Sequence, residues 1–269
     1  MAINRELQPL DMGGIFSTTL ELYRDNVALF IGIVAILEIP EAILSFLVQV
    51  ASPTPVTTSG GKIHFNGGAL AGSLALNGGL ALLGLVFGAL ITGALARAIA
   101  ARYLGRTISI GQAYASIGTS TFVTLVAASI LEGIVVGVGF IVFVLPGIFL
   151  LVRLLFIPQA VVLERKSIFG AFDRSWQLVS GSWWRVFGIG LVLFLIVAVI
   201  SGVIGGIAGS ALALGHGAGG HAASTGIDAI VGIILQPFQL GALTVLYYDL
   251  RVRKEGFGVD HLATDLGSV

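Results

Sequence analysis

The chain has 269 residues, of which 56% are hydrophobic and only 10% are charged. A soluble domain of this size carries about a quarter charged residues, so this sequence cannot cover a water-facing surface. The formal net charge is zero and no basic run occurs, which argues against nucleic acid as a partner. Composition therefore predicts an integral membrane protein.

Apolar segments long enough to cross a bilayer recur along the chain. A hydrocarbon core of roughly 30 Å needs about 20 apolar residues in a helix. This criterion predicts six transmembrane helices, at Val27–Val50, Ala69–Ala96, Thr121–Val144, Ile148–Leu163, Trp183–Leu214 and Ile227–Tyr248. The fourth is the weakest, because it is short, contains Arg153 and is interrupted by Pro158. A re-entrant segment at 148–163 is the alternative to a full crossing.

The placement of lysine and arginine predicts the orientation of these spans. If the N-terminus is cytoplasmic, twelve of the fourteen basic residues fall on the cytoplasmic side. Only Lys62 then falls outside, and Arg153 lies within a span. The sequence therefore predicts a multi-pass protein of the cell (inner or plasma) membrane, with both termini in the cytoplasm.

Three amphipathic segments, 11–25, 107–119 and 167–182, each precede a pair of predicted spans. In 167–182 the apolar residues Ile168, Phe172, Trp176 and Val179 recur with a helical period, which is typical of a helix lying in the membrane interface. The predicted fold is an all-α, polytopic bundle of about six transmembrane helices. These helices form three hairpins, each preceded by a cytoplasmic-face amphipathic helix.

This pattern indicates one transmembrane domain, 1–269, built from three repeats. The repeats are 11–100, 107–165 and 167–250, followed by a cytoplasmic tail, 251–269. The outer loops, 51–68 and 215–226, are rich in small and polar residues and are expected to be flexible. Pairs of glycines four residues apart, such as Gly84/Gly88 and Gly133/Gly137, favour close helix packing or dimerisation.

Two stretches resemble the glycerophosphoryl diester phosphodiesterase membrane-domain family. The run from Pro146 to Leu154, followed by Val162-Leu163-Glu164, is similar to the fourth-helix motif of that family. The run from Leu246 to Phe257 is similar to its C-terminal signature. In the family this module sometimes accompanies a soluble phosphodiesterase domain, but predicted membrane segments occupy the present chain. The resemblance therefore implies a membrane module and does not carry over the hydrolase activity.

Polar side chains inside the predicted spans are the candidate functional residues. An ionisable group at the centre of a membrane helix costs about 2.5–3.5 kcal/mol, so such residues face the bundle interior, pair, or line a pathway. They form a predicted polar belt of Glu38, Glu41, Asn77, Glu132, Arg153, Gln236 and Gln239. We expect Arg153 to pair with Glu41 or Glu132. The belt would line a cavity for a lipid headgroup or a small solute, or would be a structural ion pair that sets helix register.

No nucleophile–base pair and no metal-ligating set converges in the sequence, so the prediction is a protein that is not an enzyme and holds no metal or cofactor. The leading interpretation is a non-catalytic membrane module that handles or scaffolds lipid or envelope components. Its expected partners are membrane lipids and a soluble or membrane protein. The alternative is a transporter or channel that uses the polar belt, because Pro40, Pro158 and Pro237 interrupt spans and broken helices build substrate sites.

Overall fold

The computed structural model describes residues 9–59, 61–103, 105–212 and 218–256. These residues form a helical bundle with one small hairpin of strands, β1 (Val56–Ser59) and β2 (Lys62–Phe65). The helices are α1 (Met12–Asp25), α2 (Val27–Ala51), α3 (Gly67–Tyr103), α4 (Ile110–Ala115), α5 (Thr119–Val142), α6 (Val144–Leu154), α7 (Ile157–Glu164), α8 (Ile168–Val179), α9 (Trp183–Leu212) and α10 (Ala218–Glu255).

The all-α membrane bundle predicted from the sequence is confirmed. Within the described ranges six segments are long and apolar enough to cross a bilayer: α2, α3, α5, α6 with α7, α9 and α10. The fourth crossing runs from Val144 to Glu164 and is broken at Leu155 and Phe156. Pro158 explains the break, because it lies in the first turn of α7 and has no N–H to donate to the carbonyl of Leu154.

The spans pack as three hairpins, α2 with α3, α5 with α6 and α7, and α9 with α10. The short helices α1, α4 and α8 precede these hairpins, as the amphipathic pattern predicts. Helix α10 also packs on α1, α2, α3 and α8, and therefore ties the first and third hairpins together. The threefold repeat in sequence stays a prediction.

Each short helix begins with a side-chain cap. Asp11 accepts a hydrogen bond from Gly14 N at 2.7 Å, and Ser167 caps α8 through Gly170 N. Ser109 and Gln112 form a reciprocal capping box at the start of α4. These caps satisfy N–H groups that a short helix otherwise leaves free, and so they define where each short helix starts.

The buried core is concentrated at one end of the bundle. In α3 nearly all residues from Ala89 to Ala101 are buried, whereas its first half is largely exposed. The same end contains α8, the last turns of α7 and α10, and the first turn of α9; we call it the basic face. The other half of the bundle exposes large apolar side chains such as Leu74, Ile141 and Val203. An apolar surface of this kind is favourable in contact with lipid and unfavourable in contact with water.

Two loop predictions are wrong. Segment 51–68 contains an antiparallel β-hairpin, with Val56 paired to Phe65 and Ser59 paired to Lys62, rather than an irregular loop. Helix α10 begins at Ala218, so most of the predicted loop 215–226 is helical. Residues 213–217 and the tail residues 257–269 lie outside the described residues.

The glycine pairs do not behave alike. A Cβ on Gly88, Gly133 or Gly137 would meet no atom within 4 Å in the described part of the chain, so these glycines do not serve intramolecular packing. Dimerisation through them stays a prediction. Gly84 differs, because a Cβ there would lie 2.6 Å from Glu41 Oε1.

Candidate functional site

The polar-belt residues do not gather in one place. Glu38, Gln236 and Gln239 line a single cavity between α2, α9 and α10. Asn77 is exposed and donates hydrogen bonds to Ser73 O and to Ser52 Oγ near the β-hairpin. Glu132 is partly buried on α5, and no ion pair links it to a basic side chain among the residues described. The belt is therefore divided into separate local sites.

Glycines accommodate the two carboxylates of α2. Glu38 Oε1 lies 3.3 Å from where a Cβ of Gly232 on α10 would be. Glu41 lies against Gly84 of α3 in the same way. The two carboxylates are three residues apart on α2 and contact glycines of different helices.

The pairing predicted for Arg153 is wrong. Its Nη1 donates to Ser180 Oγ at 2.6 Å and to Trp176 O at 3.2 Å, both at the C-terminal end of α8. The guanidinium also lies 4.6 Å from the ring centre of Trp176 and 5.2 Å from that of Phe149. Free carbonyls at a helix C-terminus attract a cation, and aromatic rings add to this attraction. The α6–α7 break places Arg153 near the basic face rather than beside Glu41 or Glu132.

A buried carboxylate, Glu164, organises the basic face. It accepts hydrogen bonds from Arg174 Nε and Nη2 at 2.8–2.9 Å and from the hydroxyl of Tyr247. Arg251 Nε lies 3.4 Å away, and Glu255 pairs with both arginines. The Glu164 side chain is only 8% exposed. This set of residues, the Glu164 centre, joins α7, α8 and the last turns of α10.

The network also perturbs the pKa of Arg174. Burial lowers the pKa of this guanidinium, but hydrogen bonds to Glu255 and Glu164 more than compensate, so the pKa is raised overall. Arg174 therefore stays charged at any physiological pH.

A second carboxylate, Asp249, fastens the start of the described chain. Its fully buried side chain accepts from Leu10 N at 2.8 Å, from Arg185 Nη2 at 2.9 Å and from Arg253 Nε at 3.0 Å. Arg253 also donates to Leu10 O at 2.6 Å. The Asp249 centre thus joins the segment before α1, the first turn of α9 and the end of α10.

Two tyrosines from the short helices reach into the bundle. Tyr23 of α1 donates to Ile234 O of α10 at 2.9 Å, and Tyr114 of α4 donates to Ile33 O of α2 at 2.6 Å. Burial raises the pKa of Tyr114 to about 12, so its hydroxyl keeps the proton that it donates. The short helices are therefore fixed to the spans that carry Pro237 and Pro40.

A large cavity lies on the basic face, between the α4–α5 turn and the α7–α8 turn. Its volume is about 620 Å³. We call it the basic cavity; its lining includes two cations and several hydroxyls, from Ser116, Ser120, Thr121, Thr124, Arg165, Lys166 and Ser167.

Arg165 and Ser120 are exposed at this cavity, and Lys166 Nζ lies 3.9 Å from Glu164 Oε2. The first turn of α5 borders the same cavity, and its N-cap, Gly118, supplies no side-chain hydrogen bond. Free N–H groups and the helix dipole make such a turn favourable to an anion. The basic cavity therefore combines positive charge with hydrogen-bond donors.

A neighbouring cavity of about 440 Å³ continues this surface. It shares Ala115 and Ser116 with the basic cavity, and Arg97, Arg106 and Gln112 also line it. Helix α4 lies between the two cavities, so together they surround one short interfacial helix with basic side chains.

Residues 10–250 match the model of DUF7847, a domain of unknown function. The chain belongs to the DUF7847 family. No curated protein and no solved structure matches it. The DUF7847 domain takes in α1 to α9 and most of α10, and therefore the basic cavity and the carboxylates Glu164 and Asp249. The partners Arg251, Arg253 and Glu255 lie just beyond residue 250. The family description assigns no activity to any of them.

Sequence reasoning about this DUF7847 protein missed the acidic centres and the basic cavity. One signal was present, because Asp249/Arg253 and Arg251/Glu255 are spaced for ion pairs on one helix. The remaining contacts depend on which helices become neighbours. Arg185, for example, is 64 residues from Asp249.

Proposed function

We propose that this protein is a non-catalytic membrane module that binds anionic lipid headgroups at its basic face. The basic cavity is the observation that carries the proposal. It presents Arg165, Lys166 and a row of hydroxyls at the end of the bundle where headgroups would lie. A phosphate needs this combination, since cations supply attraction and hydroxyl or N–H groups supply directed hydrogen bonds.

The size and position of the basic cavity support a lipid rather than a soluble anion. A volume of about 620 Å³ is well above that of inorganic phosphate and lies within the range of organic ligand sites. Apolar side chains of the spans continue beneath the basic face, where acyl chains would pack. Under the predicted orientation the site faces the inner leaflet of the cell membrane, whose anionic lipids attract basic groups.

The resemblance to the glycerophosphoryl diester phosphodiesterase membrane-domain family implies a membrane module, which is compatible with this proposal. We keep hydrolysis out of the proposal, since the sequence supplies no nucleophile–base set. A soluble or membrane protein that receives the bound lipid is the partner that the proposal requires.

The experiment is lipid binding to the purified chain in phosphatidylcholine nanodiscs, followed by native mass spectrometry after addition of phosphatidylglycerol. We expect selective retention of phosphatidylglycerol. Each basic residue near an anionic membrane contributes about 1 kcal/mol, so the double variant Arg165→Ala/Lys166→Ala should bind about thirtyfold more weakly.

The matched control is the double variant Arg24→Ala/Lys62→Ala, which removes the same charge from exposed positions outside the basic cavity. We expect it to retain phosphatidylglycerol as the unaltered chain does. The proposal would be refuted if the Arg165→Ala/Lys166→Ala variant bound phosphatidylglycerol as tightly as the unaltered chain. It would also be refuted if the unaltered chain retained a zwitterionic lipid as well as it retains phosphatidylglycerol.

A transporter for a small solute is the second candidate. Its one supporting observation is the cavity that Glu38, Gln236 and Gln239 line together. Arg153, Asn77, Glu41 and Glu132 do not join this cavity, so no continuous path of belt residues supports translocation.

A further inference from the structure

A polar cavity lies between α2, α9 and α10 and shares no lining residue with the basic cavity. Its volume is about 300 Å³. Glu38 is eleven residues beyond the start of α2, which at about 1.5 Å per residue is roughly 17 Å into a core of about 30 Å. The cavity therefore lies near the middle of the bilayer. Burying a polar side chain at this depth in the hydrocarbon core costs free energy, and such side chains are commonly functional.

The polar wall of this cavity combines the Glu38 carboxylate, which only accepts hydrogen bonds when ionised, with hydroxyl and amide groups that both donate and accept. Gln236 Oε1 is buried and accepts no hydrogen bond from any described residue. The Glu38 carboxylate, packed against Gly232, forms no ion pair with a described lysine or arginine. Ser201 and Gln239 complete the polar wall. A buried acceptor without a donor and a carboxylate without a protein cation are both unfavourable. A ligand that brings N–H donors and a positive charge would therefore be stabilised in this cavity.

An apolar wall comes from Val197, Val231 and Leu235, on the same helices α9 and α10. This wall, together with a volume of about 300 Å³, suits an alkyl group and exceeds the needs of a bare metal ion. A primary ammonium has three N–H donors, and its alkyl chain would lie on the apolar wall. The two walls together match a small organic ammonium ion.

We propose that the cavity formed by Glu38, Ser201, Gln236 and Gln239 binds a primary ammonium group. Glu38 supplies the counter-charge, and Gln236 Oε1 accepts one of the N–H bonds. This site is independent of anion binding at the basic face. The same chemistry comes from a free alkylamine or from the headgroup of an aminophospholipid, and the experiment separates these sources.

The test measures radiolabelled butylammonium bound to the full chain in phosphatidylcholine nanodiscs, by equilibrium dialysis. We expect saturable binding that unlabelled butylammonium displaces and that tetramethylammonium, which has the charge but no N–H, does not. Addition of phosphatidylethanolamine to the nanodiscs distinguishes the sources. Competition indicates a lipid headgroup as the natural occupant, and its absence indicates a free amine; both results support the site.

Matched variants locate the binding. Glu38→Gln should weaken butylammonium binding by about ten- to a hundredfold, the usual effect of losing a charge-assisted hydrogen bond. Gly232→Ala should weaken it by a smaller factor, because the new Cβ would lie 3.3 Å from Glu38 Oε1 and the carboxylate would have to move by a few tenths of an ångström. Glu41→Gln is the control, since it removes the same group three residues along the same helix, at a position facing Gly84 instead.

The proposal would be overturned if the unaltered chain showed no saturable butylammonium binding, or if Glu38→Gln bound butylammonium as tightly as the unaltered chain. It would also be overturned if Glu41→Gln lost as much binding as Glu38→Gln. Displacement by tetramethylammonium would overturn it as well, because charge alone would then explain binding. Size-exclusion profiles check that each variant is folded. If Glu38→Gln does not fold, Gln236→Leu, which removes the unbonded acceptor and leaves the carboxylate, replaces it with the same expectation.

Discussion

The Glu164 carboxylate accepts donors from Arg174 and Tyr247 and lies close to Arg251. Removal of this carboxylate would leave buried arginines without a counter-charge. Removing one partner of a comparable buried ion pair destabilises the fold by about 3–5 kcal/mol. We therefore expect Glu164→Ala to lower the free energy of unfolding by about that amount. Thermal unfolding in detergent, followed by tryptophan fluorescence, measures the loss.

The control for Glu164 is Asp173→Asn, which removes an exposed carboxylate from α8 beside Arg174. Surface charges of this kind contribute about 1 kcal/mol or less, so the midpoint should change little. If Glu164→Ala unfolded at the same temperature as Asp173→Asn, the Glu164 centre would not be a stabilising tie.

The contacts of Arg153 show why individual side-chain contacts could not be predicted from the sequence. The sequence predicts one span over Ile148–Leu163, but the structure breaks this segment at Leu155 and Phe156, and Arg153 contacts the end of α8. The depth of Glu38 and Glu41 in the bilayer follows from hydropathy. Which helix each carboxylate meets does not, because the rotation of α2 depends on its neighbours.

The turn between α5 and α6 depends on glycines that pack. A Cβ on Gly147 would lie 2.4–2.7 Å from the Phe140 ring, and one on Gly139 would lie 3.1 Å from Gly147 Cα. Overpacking of this kind costs about 1–3 kcal/mol. We expect Gly147→Ala to lower the free energy of unfolding by that amount, measured by titration with SDS.

Gly133→Ala, on the same α5 helix, is the matched control. No described atom lies within 4 Å of its added Cβ, so better helix propensity should stabilise by up to about 1 kcal/mol. A loss at Gly133 equal to that at Gly147 would contradict an open α5 surface and would indicate that another copy of the chain covers it.

Helices were the most predictable elements, because hydropathy and periodicity act over many residues. All six spans and all three short helices were anticipated, with ends shifted by a few residues in most cases. The β-hairpin at 56–65 was not, since Ser, Thr and Gly in a short segment are equally typical of a loop. The two strands pair through cross-strand hydrogen bonds. Their short sequence lacks the strong alternation of apolar and polar residues that would predict this pairing.

The orientation of the whole bundle determines which leaflet the basic cavity meets. The structure separates the basic face from the β-hairpin that carries Lys62, and the positive-inside rule places the basic face in the cytoplasm. The chain has no cysteine, so single introduced cysteines report position without background labelling. Lys62→Cys and Asp173→Cys change exposed residues on opposite sides of the predicted membrane.

A membrane-impermeant maleimide applied to intact cells should label Lys62→Cys and leave Asp173→Cys unlabelled until the membrane is permeabilised. The reverse pattern would place Arg165 and Lys166 outside the cell. Anionic lipids of the inner leaflet could not then reach the basic cavity, even if purified protein still bound phosphatidylglycerol. Labelling of both positions in intact cells would contradict the six-span topology itself, since that topology puts three crossings, an odd number, between Lys62 and Asp173.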